Sequence, residues 1–98
     1  MKEIILQFTY DCTLISVPSD IEKNIQSIRK KFDKWLYDKS KDHDYWVYIN
    51  GVKKAVSFDA EAFVRYLNEH HIVDQHKKAY IVDLNYKGTL SNITTLYF

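Results

Sequence analysis

Residues 45–68 read YWVYINGVKKAVSFDAEAFVRYLN, and here the local signals agree most closely. Tyr45, Val47 and Ile49 alternate with Trp46 and Tyr48, the period of an extended strand. Asn50-Gly51 follows, a pair that tolerates the positive φ needed at both centres of a type I′ turn. Residues 52–57 return as a second strand. Ser57 and Asp59 both offer a side-chain oxygen for the next helix N-terminus, and Asp59 sits better against the Ala60-Glu61 first turn. Phe63, Tyr66, Leu67 and His70 form that helix's inner stripe, with Glu61, Arg65 and Glu69 outside as an i,i+4 ladder.

Upstream, residues 2–10 alternate, with Ile4, Leu6, Phe8 and Tyr10 on one side, as in a half-buried strand. Asp11-Cys12 interrupts. Residues 13–17 either continue this strand past a bulge or form a short hairpin partner, and Pro18 closes the region. Ser19-Asp20-Ile21-Glu22 has the spacing of a capping box. Ile21, Ile25, Ile28, Phe32, Trp35 and Leu36 then recur at helical spacing, which predicts one long helix over 19–39. Its far face carries Lys23, Lys30, Lys34 and Tyr37.

Downstream, residues 71–78 are a polar loop. Residues 79–84 predict a strand with Tyr80, Val82 and Leu84 on one side, and residues 93–98 another. The expected order is β-α-β-β-α-β with an added C-terminal strand. That pattern most simply gives a single α+β domain over residues 1–98. Its form would be a two-layer ferredoxin-like sandwich, an antiparallel sheet with two helices on one face. Right-handed crossovers would set the first strand beside the strands at 52–57 and 79–84.

Composition narrows the function classes. A chain of 98 residues buries roughly 60–70% of its unfolded surface, enough for one core without staples. Fourteen basic against thirteen acidic residues leave a net charge of +1, so no whole-protein field draws in nucleic acid or an anionic membrane. The single cysteine, Cys12, excludes an intrachain disulfide and suits a reducing compartment. The opening MKEIILQF has too short an apolar run for a signal peptide or a membrane span. A soluble cytoplasmic protein is the expectation. Aromatic residues reach 15%, and such side chains furnish both cores and interfaces.

No catalytic or cofactor motif of high specificity occurs, and no catalytic, cofactor or metal residue is assigned. The His70-His71-x-x-Asp74-x-His76 run has metal-ligand chemistry but no established ligand spacing; histidines at a helix C-terminus also complement its dipole. Cys12 reads as an inert small hydrophobe. Acylphosphatase-type enzymes share the expected topology, yet their glycine-rich, arginine-centred phosphate loop is missing from a chain with only Gly51 and Gly88. RNA-recognition motifs also share it, but residues 52–56, VKKAV, supply no aromatic stacking platform. Tyr10-Asp11, after the first strand, resembles a feature of the small ferredoxin-fold nucleases associated with CRISPR adaptation. Over those two residues the resemblance implies Asp11 as a metal ligand of a nuclease; Asp11 is equally a common turn former.

The strand at 45–49 is apolar or aromatic on both faces, more than one helix layer can hide. The C-terminal residues Leu96, Tyr97 and Phe98, a second copy of the chain or a partner protein would have to cover Trp46 and Tyr48. The expectation is therefore a non-catalytic protein that binds and inhibits a macromolecular partner, of the immunity-protein or phage anti-defence type. Trp46 and Tyr48 would anchor a protein partner, with Lys53 and the Lys23, Lys30, Lys34 and Tyr37 face at the rim. The alternative is a nucleic-acid-binding module using the lysine faces. A metal-dependent nuclease ranks third. A homodimer is compatible with the same exposed face.

Overall fold

Ile4, Ile5 and Leu6 are all fully buried, so β1 (Lys2–Gln7) has to be covered on both faces and paired along both edges. The computed structural model, which describes residues 1–88 and 92–98, shows how. β1 turns at Phe8, whose N–H donates to the Asp11 carbonyl at 2.8 Å, into antiparallel β2 (Cys12–Val17). Its other edge pairs in parallel with β6 (Thr94–Tyr97). The far edge of β2 takes antiparallel β5 (Tyr80–Asp83), with a register shift that leaves Val82 as the extra residue. The four-stranded sheet runs β5-β2-β1-β6.

Two helical segments follow β2: α1 (Ser19–Lys23) and α2 (Ile25–Leu36). They replace the single helix expected over 19–39. At the break, the Asn24 side-chain amide donates to the Asp20 carbonyl at 3.0 Å, a local bond that competes with the helical ladder. The Ser19 capping box is not made either. Pro18 is the N-cap, and its carbonyl accepts from the Ile21 and Glu22 amides at 3.1 Å each, while the Glu22 carboxylate accepts from the Thr94 hydroxyl at 3.3 Å. The third helix, α3 (Ala60–His70), starts as expected, with the Asp59 carboxylate accepting from the Ala62 amide at 3.2 Å.

All three helices pack on one sheet face. Ile4, Leu6, Ile15, Val17 and Leu96 share one core with Ile21, Ile25, Ile28, Phe32 and Leu36 of the first two helices and Phe63, Val64, Tyr66 and Leu67 of the third. Phe32 is the hub, with its ring 5.1–6.3 Å from those of Trp35, Phe58, Phe63, Tyr66 and Phe98. Arg29 lays its guanidinium 4.0 Å over the Phe98 ring, donates to the Tyr97 carbonyl and pairs with Asp33, tying α2 to β6. Opposite the helices, Ile5 and Leu14 face each other across β1 and β2 and are buried too. β5 and β6 are the two edge strands; the chain leaving β5 is held by the Tyr86 amide on the Cys12 carbonyl and the Thr13 hydroxyl on the Leu84 carbonyl, each 2.9 Å.

The chain is thus α+β, but the sheet is mixed rather than antiparallel, and its strand order does not confirm a ferredoxin-like sandwich. β3 (Trp46–Ile49) and β4 (Val52–Val56) pair only with each other. Their Asn50-Gly51 turn has φ of 53° and 75°, as a type I′ turn requires. The C-terminal strand, a candidate cover for that hairpin, instead lies beside β1. His70, expected on the inner stripe of α3, is exposed. Among the described residues no helix is long and apolar enough to cross a membrane.

The aromatic hub sets a stability test. Phe32→Ala should lower the unfolding free energy by about 3–5 kcal/mol in urea denaturation, by lost transfer energy plus an unfilled cavity. Tyr10→Ala, at the almost fully exposed β1–β2 turn, should change it by less than about 0.5 kcal/mol.

Candidate functional site

The hairpin divides into an anchored base and an open outer half. At the base, Trp46 is only 8% exposed. Its indole N–H donates to the Lys41 carbonyl at 2.6 Å, and its ring stacks on His43, centroids 5.1 Å apart and planes within 6°. Lys53 reaches back from β4: its ammonium donates to the Lys39 and Lys41 carbonyls at 2.6 and 3.0 Å, pairs with Asp42 and lies 5.3 Å over the Trp46 ring. The Lys53 hydrogen bond and charge hold the Asp42 carboxyl below its ordinary value. Asp38 is lowered likewise, first by the hydroxyl and then by the amide of Ser40.

The outer half is uncovered. Val47, Tyr48, Ile49 and Val52 are 40%, 53%, 54% and 49% exposed. Val47 and Ile49 alternate with Tyr48, so both faces of the ribbon present apolar groups. Lys54 is the extra residue of a bulge, since Val47 pairs with Ala55 and Tyr48 with Lys53. Trp46 and Tyr48 therefore differ in environment: the first is held inward by the 37–45 connection, and the second is open. Lys53 is likewise occupied within the chain.

Lys23, Lys30, Lys34 and Tyr37 are exposed on α1 and α2 or just beyond them. Among the described residues no hydrogen bond or ion pair links them to the hairpin. His70, His71, Asp74 and His76 do not come together as a ligand set: His70 lies against Trp35 and Tyr66, His71 meets the Tyr66 hydroxyl at 3.1 Å, and the Asp74 carboxylate accepts from the His76 amide. Among the described residues no three His, Cys, Asp or Glu side chains are grouped to hold a metal ion. Asp11 sits in the β1–β2 turn, where its carbonyl accepts from Phe8 and Gln7. The half-buried Cys12 thiol donates to the Gln7 side-chain oxygen at 2.7 Å.

Beside the hairpin base a cleft of about 370 Å³ opens between the 37–45 connection and α3. One wall is aromatic. Trp35 lies at its centre, its ring 4.6 Å from His43, 5.1 Å from Tyr66 and 5.4 Å from His70; Tyr45 extends the wall 5.5 Å beyond His43. The His43 ring is held at both nitrogens: Nε2 donates to the Leu36 carbonyl at 2.8 Å, and Nδ1 accepts from the Tyr45 amide at 3.2 Å. On the rim, Arg65 donates from Nε to Glu69 at 2.9 Å and from Nη1 to Asp44 at 3.4 Å. Glu69, then Tyr45, raise the Arg65 pKa above its already high value.

Sequence reading passed over this cleft. Its members come from α2, the 37–45 connection and both stripes of α3, Tyr66 and His70 with Arg65 and Glu69. The available signal was the crowding of His43, Tyr45 and Trp46 at the end of that connection, dense in aromatic groups for a solvated loop. Comparison of the chain with protein-family models, curated proteins and solved structures finds no match.

His71 provides a pH test. Its pKa lies below the ordinary value near 6.5, first because burial disfavours the imidazolium and then through the positive charges of Lys31 and His70. The unfolded chain therefore takes up this proton more readily. The corresponding stability is complete above about pH 6.5 and is lost as pH falls through the folded-state value. Chemical denaturation should show a less stable protein at pH 5 than at pH 7.5, and His71→Gln should flatten that dependence. Asp38 and Asp42 act in the same direction only at lower pH, around and below their ordinary value near 4. Stability that is level or rises from pH 7.5 to pH 5 would contradict the burial account.

Proposed function

We propose that this protein is a non-catalytic binder that occludes a site on a macromolecular partner, in the manner of a toxin-immunity protein or a phage-encoded inhibitor of host defence. One observation carries the reading: the outer half of β3–β4 exposes Val47, Tyr48, Ile49 and Val52 on both faces of a ribbon outside the main sheet. Two-stranded ribbons are marginal by themselves, and apolar area gains roughly 25 cal/mol per Å² when withdrawn from water. A partner that covers the ribbon supplies both the burial and the rigidity. Tyr48 offers a large ring with a polar tip, the usual material of an interface anchor. Trp46 and Lys53 act behind it by fixing the hairpin's base. Inhibition by occlusion requires no reacting group. A cytoplasmic setting is part of the proposal, because a lone free cysteine suits a reducing compartment.

A second reading rests on α2, where Lys30, Lys31 and Lys34 are exposed on adjacent turns and could contact phosphates. Such binding would weaken steeply with salt and with neutralisation of Lys30 and Lys34.

The experiment is affinity capture from the native host with wild-type protein and with the Tyr48→Ala/Ile49→Ser variant, followed by mass spectrometry. A protein should be recovered by the wild type and depleted about tenfold with the variant, while circular dichroism and melting stay those of the wild type. A partner retained equally by both would remove the hairpin from the interface. Recovery of no macromolecule even at low salt would sink both readings.

A further inference from the structure

We infer that the free edge of β3 pairs with the same edge of a second copy of this chain, the two strands running antiparallel about Tyr48 to make one four-stranded ribbon. The pairing uses the backbone edge of the hairpin rather than its faces, so it stands apart from the proposed partner. Among the described residues four strand edges have no partner strand, those of β5, β6, β3 and β4. Such edges attract other strands unless something blunts them. β5 carries a register shift at Val82 and ends on Asp83. β6 gives its Tyr97 carbonyl to Arg29. β4 carries Lys53, and Lys54 as its bulged residue. β3 has none of these devices. Trp46, Val47, Tyr48 and Ile49 are uncharged, include no extra residue of their own and are all strong strand formers.

The turn decides which groups that edge presents. In a two-residue hairpin the flanking pair, here Ile49 and Val52, exchanges both backbone hydrogen bonds. Inward and outward residues alternate from there, so Val47 and Tyr45 also turn toward β4, and the Tyr45 carbonyl does accept from the Ser57 amide at 2.8 Å. Tyr48 therefore turns its N–H and C=O away from β4. Among the described residues no backbone hydrogen bond reaches either group from outside the hairpin. A two-fold axis at Tyr48 lets each copy donate this N–H to the other's Tyr48 carbonyl, two bonds in one closely spaced pair. Val47 then lies opposite the Ile49 of the other copy on one face, and the two Tyr48 rings meet on the other. Exposed apolar groups thereby gain cross-strand partners. Charge selects a second copy at this edge. Residues 45–49 are uncharged, so antiparallel copies set no like charges against each other, whereas β4 against β4 would set lysines beside lysines. The contact is isologous and closes at two chains. It also converts a two-stranded ribbon, marginal alone, into four strands.

Sedimentation velocity on the purified chain should show a reversible monomer–dimer equilibrium between about 10 μM and about 1 mM. The Tyr48 amide should exchange its hydrogen more slowly as concentration rises. Charge variants at two exposed positions then read the register. Val47→Lys/Ile49→Lys and Val47→Glu/Ile49→Glu each put like charges opposite one another across the axis, and Val47→Glu/Ile49→Lys puts opposite ones there. The two like-charge variants should each dimerise at least about tenfold more weakly than the third, and mixing them should restore a dimer. Tyr48→Pro removes an outward N–H and no bond to β4, so it should be monomeric with the circular dichroism of the wild type. If that variant loses its fold, the charge variants decide. A chain that stays monomeric up to about 1 mM would overturn the inference. So would a dimer that all three charge variants form equally well, or one in which the Tyr48 amide stays unprotected. A monomer whose Tyr48 amide is protected only in complex with a captured protein would overturn it in favour of strand addition by that protein. These readouts need no partner, so they succeed or fail separately from the capture experiment.

Discussion

Three consecutive side chains of β1, Ile4, Ile5 and Leu6, are withdrawn from water, and a strand buried on both faces cannot leave its backbone edges unpaired. β1 must therefore have a neighbour on each side, and each choice closes another. The short turn after Gln7 brings in β2 at the smallest loop-closure cost. The parallel partner comes from the other end of the chain as β6. With both edges of β1 taken, β3 and β4 could enter only at the margins, and β5 holds the open edge of β2. The hairpin takes neither outer edge, β5 or β6, and stays a separate two-stranded ribbon.

A continuous seam of rings connects this constraint to the surface. Phe8 and Phe98 stack at 5.0 Å at one end of the sheet, Phe98 and Phe58 meet Phe32, and Phe32 meets Trp35 and Tyr66. From Trp35 the seam passes through His43 to Trp46 at the hairpin's base. Tilted and edge-to-face pairs of this kind add about 0.5–1.5 kcal/mol each beyond area burial. The unusually high aromatic content thus has a structural destination. It couples the helix layer to the 37–45 connection and, through Trp46 and Lys53, holds a two-stranded ribbon that would be marginal alone.

Some of the candidate site was legible beforehand and some was not. Tyr48 is exposed, but so are Val47 and Ile49 on the other face, so alternation along β3 did not decide which side is open; the lysines of α2 lie on its outer face. Trp46 shares Tyr48's side of β3 by alternation yet is buried, because the Lys41 carbonyl and the His43 ring come from a loop whose path no periodicity encodes. Lys53 looked like a rim charge, but three oxygens of that same loop enclose its ammonium. The long helix over 19–39 failed for a local reason that could have been read: Asn24 has a short side chain able to bond the preceding turn.

By itself the sequence determined the features that depend on neighbours a few residues apart. These are the positive-φ turn at Asn50-Gly51, the Asp59 cap, the amphipathic stripes of α2 and α3, and the strand character of the N-terminal segment. Dihedral preference and side-chain periodicity decide them before any distant contact forms. Only the tertiary structure decided which strands share a sheet, that the hairpin stays outside it, and that Trp35, His43, Tyr45 and Arg65 meet around one cleft. Each of those outcomes is a competition among partners far apart in the chain, settled by which arrangement buries β1 on both faces and pairs both its edges.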